Sequence, residues 1–361
     1  MAKLGECFSV IRNGASIRQT DGAGGFPITR IETIADKTIN REKFGYAGIY
    51  DLAQYRDYIL QDGDILMSHI NSEKHLGKVA LYSKQDDEQI IHGMNLLMLR
   101  ADTQKVIPEY AKYYFESQKF LRQIGRITKK SVNQASFTVT ALKELEIPLA
   151  SIIVQRDISE KLEKVDWLVS LRKQQLAKLD ELVKARFVEM FGEPVQNPNC
   201  WKTENLLDLG YCKNGMNFHR DDCGTEIHCL GVGDFKNHST IRDVGSLPFI
   251  SLNELPTSEY LLRDGDIVFV RSNGNKELVG RCLAIYPAKI PVTYSGFCIR
   301  YRLTSNKITV SYLLRVLKAD SVRKKMTGRG ANIQNLNQQI LAQLVVPIPP
   351  LSLQNQFAAF V

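Results

Sequence analysis

At 361 residues the chain is long enough for two or three domains, each with its own core. Its 47 Lys and Arg against 39 Asp and Glu leave a net charge of +8, which modestly favours a polyanionic partner. Seven cysteines with no Cys-x-x-Cys pair and no signal peptide point to a reducing, cytoplasmic setting, and no run approaches the roughly 20 apolar residues that cross a bilayer.

The first segment, 1–154, reads as short strands with glycine-marked turns. An apolar stretch from Cys7 ends in the turn signal Asn13-Gly14. Asp62-Gly63-Asp64 marks a tight turn before a strand over 65–67, and the two carboxylates suit turn capping better than metal binding. Further strands are expected at 77–81 and 95–99. After Pro108 the period changes, and Tyr110, Tyr113, Tyr114, Leu121 and Ile124 predict an amphipathic helix. Its end is basic, with Lys119, Arg122, Arg126, Lys129 and Lys130, followed by Ser131, Asn133 and Gln134. Lysine, arginine and small amides together suit phosphate contact. A solvated charged face is the plain alternative.

Next comes a long helical spacer, 155–192, free of proline and glycine up to Phe191, in which Leu162, Val165, Val169, Leu176, Leu179, Val183 and Phe187 recur at three- and four-residue spacings. The 37 residues Gln155–Phe191 would span roughly 55 Å as a helix. Trp167, Leu168, Leu171 and Leu182 widen the apolar face, while interleaved acids and bases cover the rest, which suits a coiled-coil flank.

A breaker cluster at 193–200 then precedes a second segment, 201–353, that repeats the first. Asn214-Gly215 answers Asn13-Gly14 at an offset of 201, and Asp264-Gly265-Asp266 answers Asp62-Gly63-Asp64 at 202. Asn332, Leu336, Leu341, Leu344, Pro347 and Gln354 answer Asn133, Phe137, Leu142, Leu145, Pro148 and Gln155 at 199. The basic helix end returns as Arg323, Lys324, Lys325 and Arg329. The copies differ after the matched strand, where the first has His69 and Asn71 and the second has Arg271, Asn273, Asn275 and Lys276. Arginine pairs bidentately with guanine and asparagine with adenine, so a constant frame with varied polar loops suits two readers of different bases. Solvent-facing turns are the plainer reading of the same loops.

Catalytic patterns are absent from the sequence. There is no Pro-Asp with a later Glu-x-Lys and no phosphate-binding P-loop, and Cys212, His219, Cys223, His228 and Cys229 lack the paired spacing of a zinc site.

With the duplication and spacer in view, the chain resembles the DNA-specificity (S) subunits of type I restriction-modification systems. The phrases that carry the resemblance are Leu262-Arg263-Asp264-Gly265-Asp266-Ile267-Val268, Leu145-Glu146-Ile147-Pro148-Leu149, Gln155-Arg156-Asp157-Ile158 and Arg186-Phe187-Val188-Glu189-Met190-Phe191-Gly192. The resemblance implies a mixed α/β fold with two similar target recognition domains separated by a long conserved helix. It also implies double-stranded DNA as ligand, each domain reading half of a split target, and the helix docking methyltransferase (M) subunits. Restriction (R) motor-nuclease subunits join them, and the partners carry the chemistry that needs S-adenosylmethionine, ATP and magnesium. On this view the chain is a non-catalytic targeting subunit, and the helix sets the gap between half-sites. A second conserved helix, expected to begin at 354–361, looks truncated, which leaves the first one free for self-association. The rival readings are the specificity region of another restriction-modification type, a protein-interaction scaffold and a standalone nuclease.

Overall fold

The computed structural model describes residues 1–19, 24–34, 37–131, 134–219, 222–236, 238–327 and 335–361. They form two compact units, Met1–Lys173 and Gln174–Val361, each of mixed α/β build.

The first unit is built on a four-stranded antiparallel sheet in the order Phe8–Asn13, Leu96–Ala101, Ile65–Ser68, Val79–Leu81. Successive side chains on a strand point to opposite faces. Thus Ile65, Met67, Leu97 and Leu99 enter one core with Tyr110, Phe115, Phe120 and Ile124, while Leu66, Ala80, Leu96 and Met98 enter a second. Burial on both faces is why these strands are unbroken apolar runs rather than alternating ones.

The second unit repeats the arrangement with the strands Gly210–Asn214, Cys298–Leu303, Asp266–Val270 and Cys282–Ile285, and adds Thr240–Ile241 at the edge, parallel to the last. Ile267, Phe269, Ile299 and Tyr301 face one core, and Val268, Val270, Leu283 and Cys298 face the other. A three-stranded sheet of Phe249–Leu252, Thr225–Leu230 and Val292–Tyr294 packs beyond it.

The repeat extends to single buried side chains. Asp64 accepts the backbone N–H of Gln61 at 2.7 Å and pairs with Arg100 through both carboxylate oxygens at 2.8 and 2.7 Å. Asp266 does the same with Arg263 at 2.7 Å and Arg302 at 2.8 and 2.7 Å. The outer turn carboxylates, Asp62 and Asp264, cap the backbone N–H of Lys84 and Ala288, each at 2.9 or 2.8 Å. These aspartates therefore stabilise the turns, as their placement suggested. Gly63 and Gly265 provide the left-handed backbone there, with φ of 83° and 84°.

Three expectations are corrected. Asn13-Gly14 and Asn214-Gly215 do not reverse the chain; the strands run on into bridges from Ala15 to Gly93 and from Met216 to Ser295. Glycine is required for close approach, since a Cβ on Gly14 would lie 2.2 Å from the Gly93 carbonyl and one on Gly215 2.1 Å from Ser295 O. The helix after Pro108 is two helices, Pro108–Glu116 and Gln118–Ile127, because Ser117 turns extended (ψ 148°) and its hydroxyl caps the N–H of Phe120. Lys129 and Lys130 lie beyond the second helix on a short strand rather than on a helix end.

The long helix is continuous over Ile152–Phe191. Its first turns belong to the first unit, where Gln155 and Ser159 are buried and Ile158 packs on the core. Its last turns belong to the second unit, where Phe187 and Phe191 join Tyr312 and Phe357 in an aromatic cluster, with the Phe191 and Tyr312 rings 4.7 Å apart. Between them Val165, Trp167, Leu168, Val169, Leu176, Leu179 and Leu182 are all exposed. The final helix spans Leu351–Phe360.

Candidate nucleic-acid interface

In the first unit the expected contact residues converge on one small sheet. The strand Ile70–Asn71 pairs with Ala135–Ser136, which pairs in turn with Lys129–Lys130. Asn71, Ala135 and Lys130 share one register row, and Ile70, Ser136 and Lys129 the next. The two lysines are exposed, and Lys130 meets Glu73 at 2.8 Å in a pair that is itself about two-thirds exposed. Such a surface pair stabilises little and is easily exchanged for a phosphate. Asn71 is partly committed, its side-chain oxygen accepting the N–H of Ser72 at 2.7 Å.

His69 sits behind this surface. It is 5% exposed, its ring packs edgewise with that of Phe137 at 6.3 Å between centroids, and burial pushes its pKa down to about 4. It is therefore neutral near pH 7 and adds no positive charge to the surface. Asn133 lies outside the described residues.

The second unit places its own loop at the matching position. The backbone N–H of Leu336 bonds Arg271 O at 2.8 Å, as that of Phe137 bonds His69 O at 3.2 Å, so Arg271 and His69 are structural equivalents. Ser272 bridges Asn335 there. The Arg271 guanidinium donates to Gly296 O at 3.3 Å, while Asn273 and Asn275 accept backbone N–H bonds from Asn275 and Glu277 at 2.8 and 3.0 Å. The side chain of Lys276, and all of Arg329 and Asn332, lie outside the described residues. Among the described residues, no group of three His, Cys, Asp or Glu side chains is placed to hold a metal.

Of the helix residues, Leu162, Val165, Val169, Leu176 and Leu179 are exposed, whereas Val183 packs on the second unit's core and Phe187 is buried in it. Two basic side chains on the helix Val310–Lys318, Arg315 and Lys318, escape a reading based on charge runs. Comparison with their counterparts at an offset of 202, Tyr113 and Glu116, would have exposed them.

The sequence profile described as "Type I restriction modification DNA specificity domain" matches residues 1–181 and 226–361. The chain belongs to this family. Among relatives of this S-subunit family, it is 31% identical over 380 aligned positions to the protein assigned as the type I restriction enzyme MjaX specificity subunit of Methanocaldococcus jannaschii, covering 99% of this chain and 84% of that one. It is 26% identical to the StySPI specificity subunit of Salmonella potsdam over 272 positions, covering 69% of this chain and 56% of that one. The S subunit from M. genitalium shares the fold, with a TM-score of 0.53 at 14% identity over 99% of this chain and 86% of that one. A chain from a structural study of type I complex assembly and conformational transition gives 0.51 at 16%, over 99% and 88%.

Proposed function

We propose that this S subunit directs methyltransferase and restriction subunits to a split DNA sequence, each unit reading one half. The observation that carries the reading is the pair His69 and Arg271, equivalent in backbone position and different in chemistry, on a frame repeated down to its buried Asp–Arg contacts. A frame held constant while one polar loop changes is suited to reading two different base sequences. Lys129 and Lys130 supply sequence-independent phosphate contact in the first unit. Arg271, Asn273 and Lys276 are the proposed base readers of the second.

The exposed middle of the long helix is the proposed docking face for the M subunits. Leu162, Val165, Val169, Leu176 and Leu179 form its stripe, and self-association is the competing use of the same face. The chain is read as non-catalytic, with S-adenosylmethionine, ATP and magnesium used by its partners. The test is a genome-wide map of methylated adenines in cells expressing the chain with its M subunit, against cells lacking the chain. A split motif present only with the chain is expected. No new motif, with the chain and a soluble M subunit copurifying, would overturn the reading.

A further inference from the structure

Two adjoining cavities in the second unit lie apart from the reading loop. One, of about 530 Å³, is lined by Lys184, Lys236, Arg281, Arg315, Lys318 and Arg323, with Asp180 and Asp320 as its carboxylates and His238 also on its wall. The other, of about 420 Å³, has an apolar wall of Phe187, Val188, Pro194, Val195 and Ala319. Lys184, Arg315, Lys318 and Asp320 line both, so charged heads form the partition. Glu193, the acid of the apolar cavity, is spent locally, accepting the Ser321 hydroxyl and the N–H groups of Val195 and Gln196. Arg271, Asn273 and Asn275 line neither cavity.

Six cations against two acids in one concavity favour an anion there. Arg315 and Lys318 are half-buried, and among the described residues no carboxylate lies within 4 Å of either. Burial holds both pKa values below their usual range; Arg315 adds to the effect on Lys318, and Asp180 offsets part of it on both. Partly desolvated like charges cost stability that a bound anion would offset. The fold itself does not demand them. The equivalent helix of the first unit has Tyr113 and Glu116 at these positions, and Glu116 pairs with Lys112 at 3.5 Å.

We propose that the two cavities together form a site for a nucleotide, its phosphates among Arg281, Arg315 and Lys318 and its apolar body against Val188, Pro194 and Val195. The nucleotide can be free or part of a DNA strand, and the two sources are separable. The full chain is titrated with ATP and, separately, with a short duplex of random sequence across a salt series. Wild type is compared with Arg315→Gln and Lys318→Gln, with Lys105→Gln in the first unit as control. Binding of ATP that weakens about tenfold or more in both variants, with duplex affinity unchanged, identifies a free nucleotide. No ATP binding, but a duplex salt slope that falls by about one per variant, identifies a strand phosphate. ATP and duplex binding both indistinguishable from the control would overturn the site. If a variant fails to fold, protection of Lys318 from acetylation by ATP or by the duplex in wild type decides the matter, and no protection by either overturns the proposal. Failure here leaves the reading of a split sequence untouched, because that rests on the loops tested by the methylation map.

Discussion

Gln155 commits its whole amide to backbone. Its oxygen accepts the N–H of Ile107 at 2.9 Å, and its nitrogen donates to Lys105 O and Ala150 O, both at 2.9 Å. Gln354 repeats the set with Thr309 N–H at 2.7 Å, Lys307 O at 3.0 Å and Pro349 O at 2.8 Å. Both residues are fully buried, so truncation strands three backbone groups. At about 1 kcal/mol for each lost bond, Gln155→Ala and Gln354→Ala should each cost about 3 kcal/mol in urea unfolding, with the slope unchanged. A cost near zero would mean that water replaces the amide. The offset of 199 reveals the pair in the sequence, but not its task, because two of the three partners of each glutamine lie on a loop 45 to 50 residues earlier. Histidine protonation gives a second residue-scale outcome. Burial pushes the pKa of His69 down to about 4 and that of His92 to about 3. The unfolded chain binds these protons near pH 6.5, ahead of the folded one, so stability is complete above that pH and falls as pH drops towards 4 and 3. The melting temperature of wild type should therefore drop more between pH 7 and pH 5 than that of a His69→Gln, His92→Gln double variant. Equal drops would show that neither ring is held neutral.

At the scale of elements, the long helix changes role along its length. Its ends are core, and its middle presents Leu176 and Leu179 at 63% and 56% exposure. Charges placed there should leave stability within about 0.5 kcal/mol, since exposed positions contribute little to folding. Leu176→Asp with Leu179→Asp is expected to abolish copurification with the M subunit while the melting temperature holds; retained copurification would move the docking face elsewhere. The helix was readable from its period, but which turns are buried was not, because period reports a stripe and not what covers it. The break at Ser117 is not legible for a related reason: serine is tolerated inside a helix and acts as a cap only where the chain turns. The strand Lys129–Lys130 is two residues long and too short for any period to show.

For the whole molecule, one frame is used twice and the loops carry the differences. A base-reading side chain should then act on one half of the target alone. Arg271→Ala is expected to relax one base position in one half-motif, by about 1–3 kcal/mol of discrimination, and to leave the other half as in wild type. Relaxation of both halves in a methylation map would show that the units do not read separately. The repeat, the buried turn carboxylates and the apolar strands were all visible from matched residues. The offset of 202 that matches the Asp-Gly-Asp turns also pairs His69 with Arg271, but it does not show the backbone bonds from Phe137 and Leu336 that hold both, because those residues are distant in the chain.

The glutamine contacts also mark where the chain can be divided with each frame left whole. Each module runs from a short first strand, Ala2–Lys3 or Thr203–Asn205, through the glutamine that fastens the next helix to its own loop. A crossover in the coding sequence for the exposed helix middle, between Leu162 and Leu182, severs neither set of bonds and neither core. Exchange of whole modules at that seam would thus be expected to yield folded hybrids, whereas a crossover a few codons upstream would part Gln155 from the loop it holds.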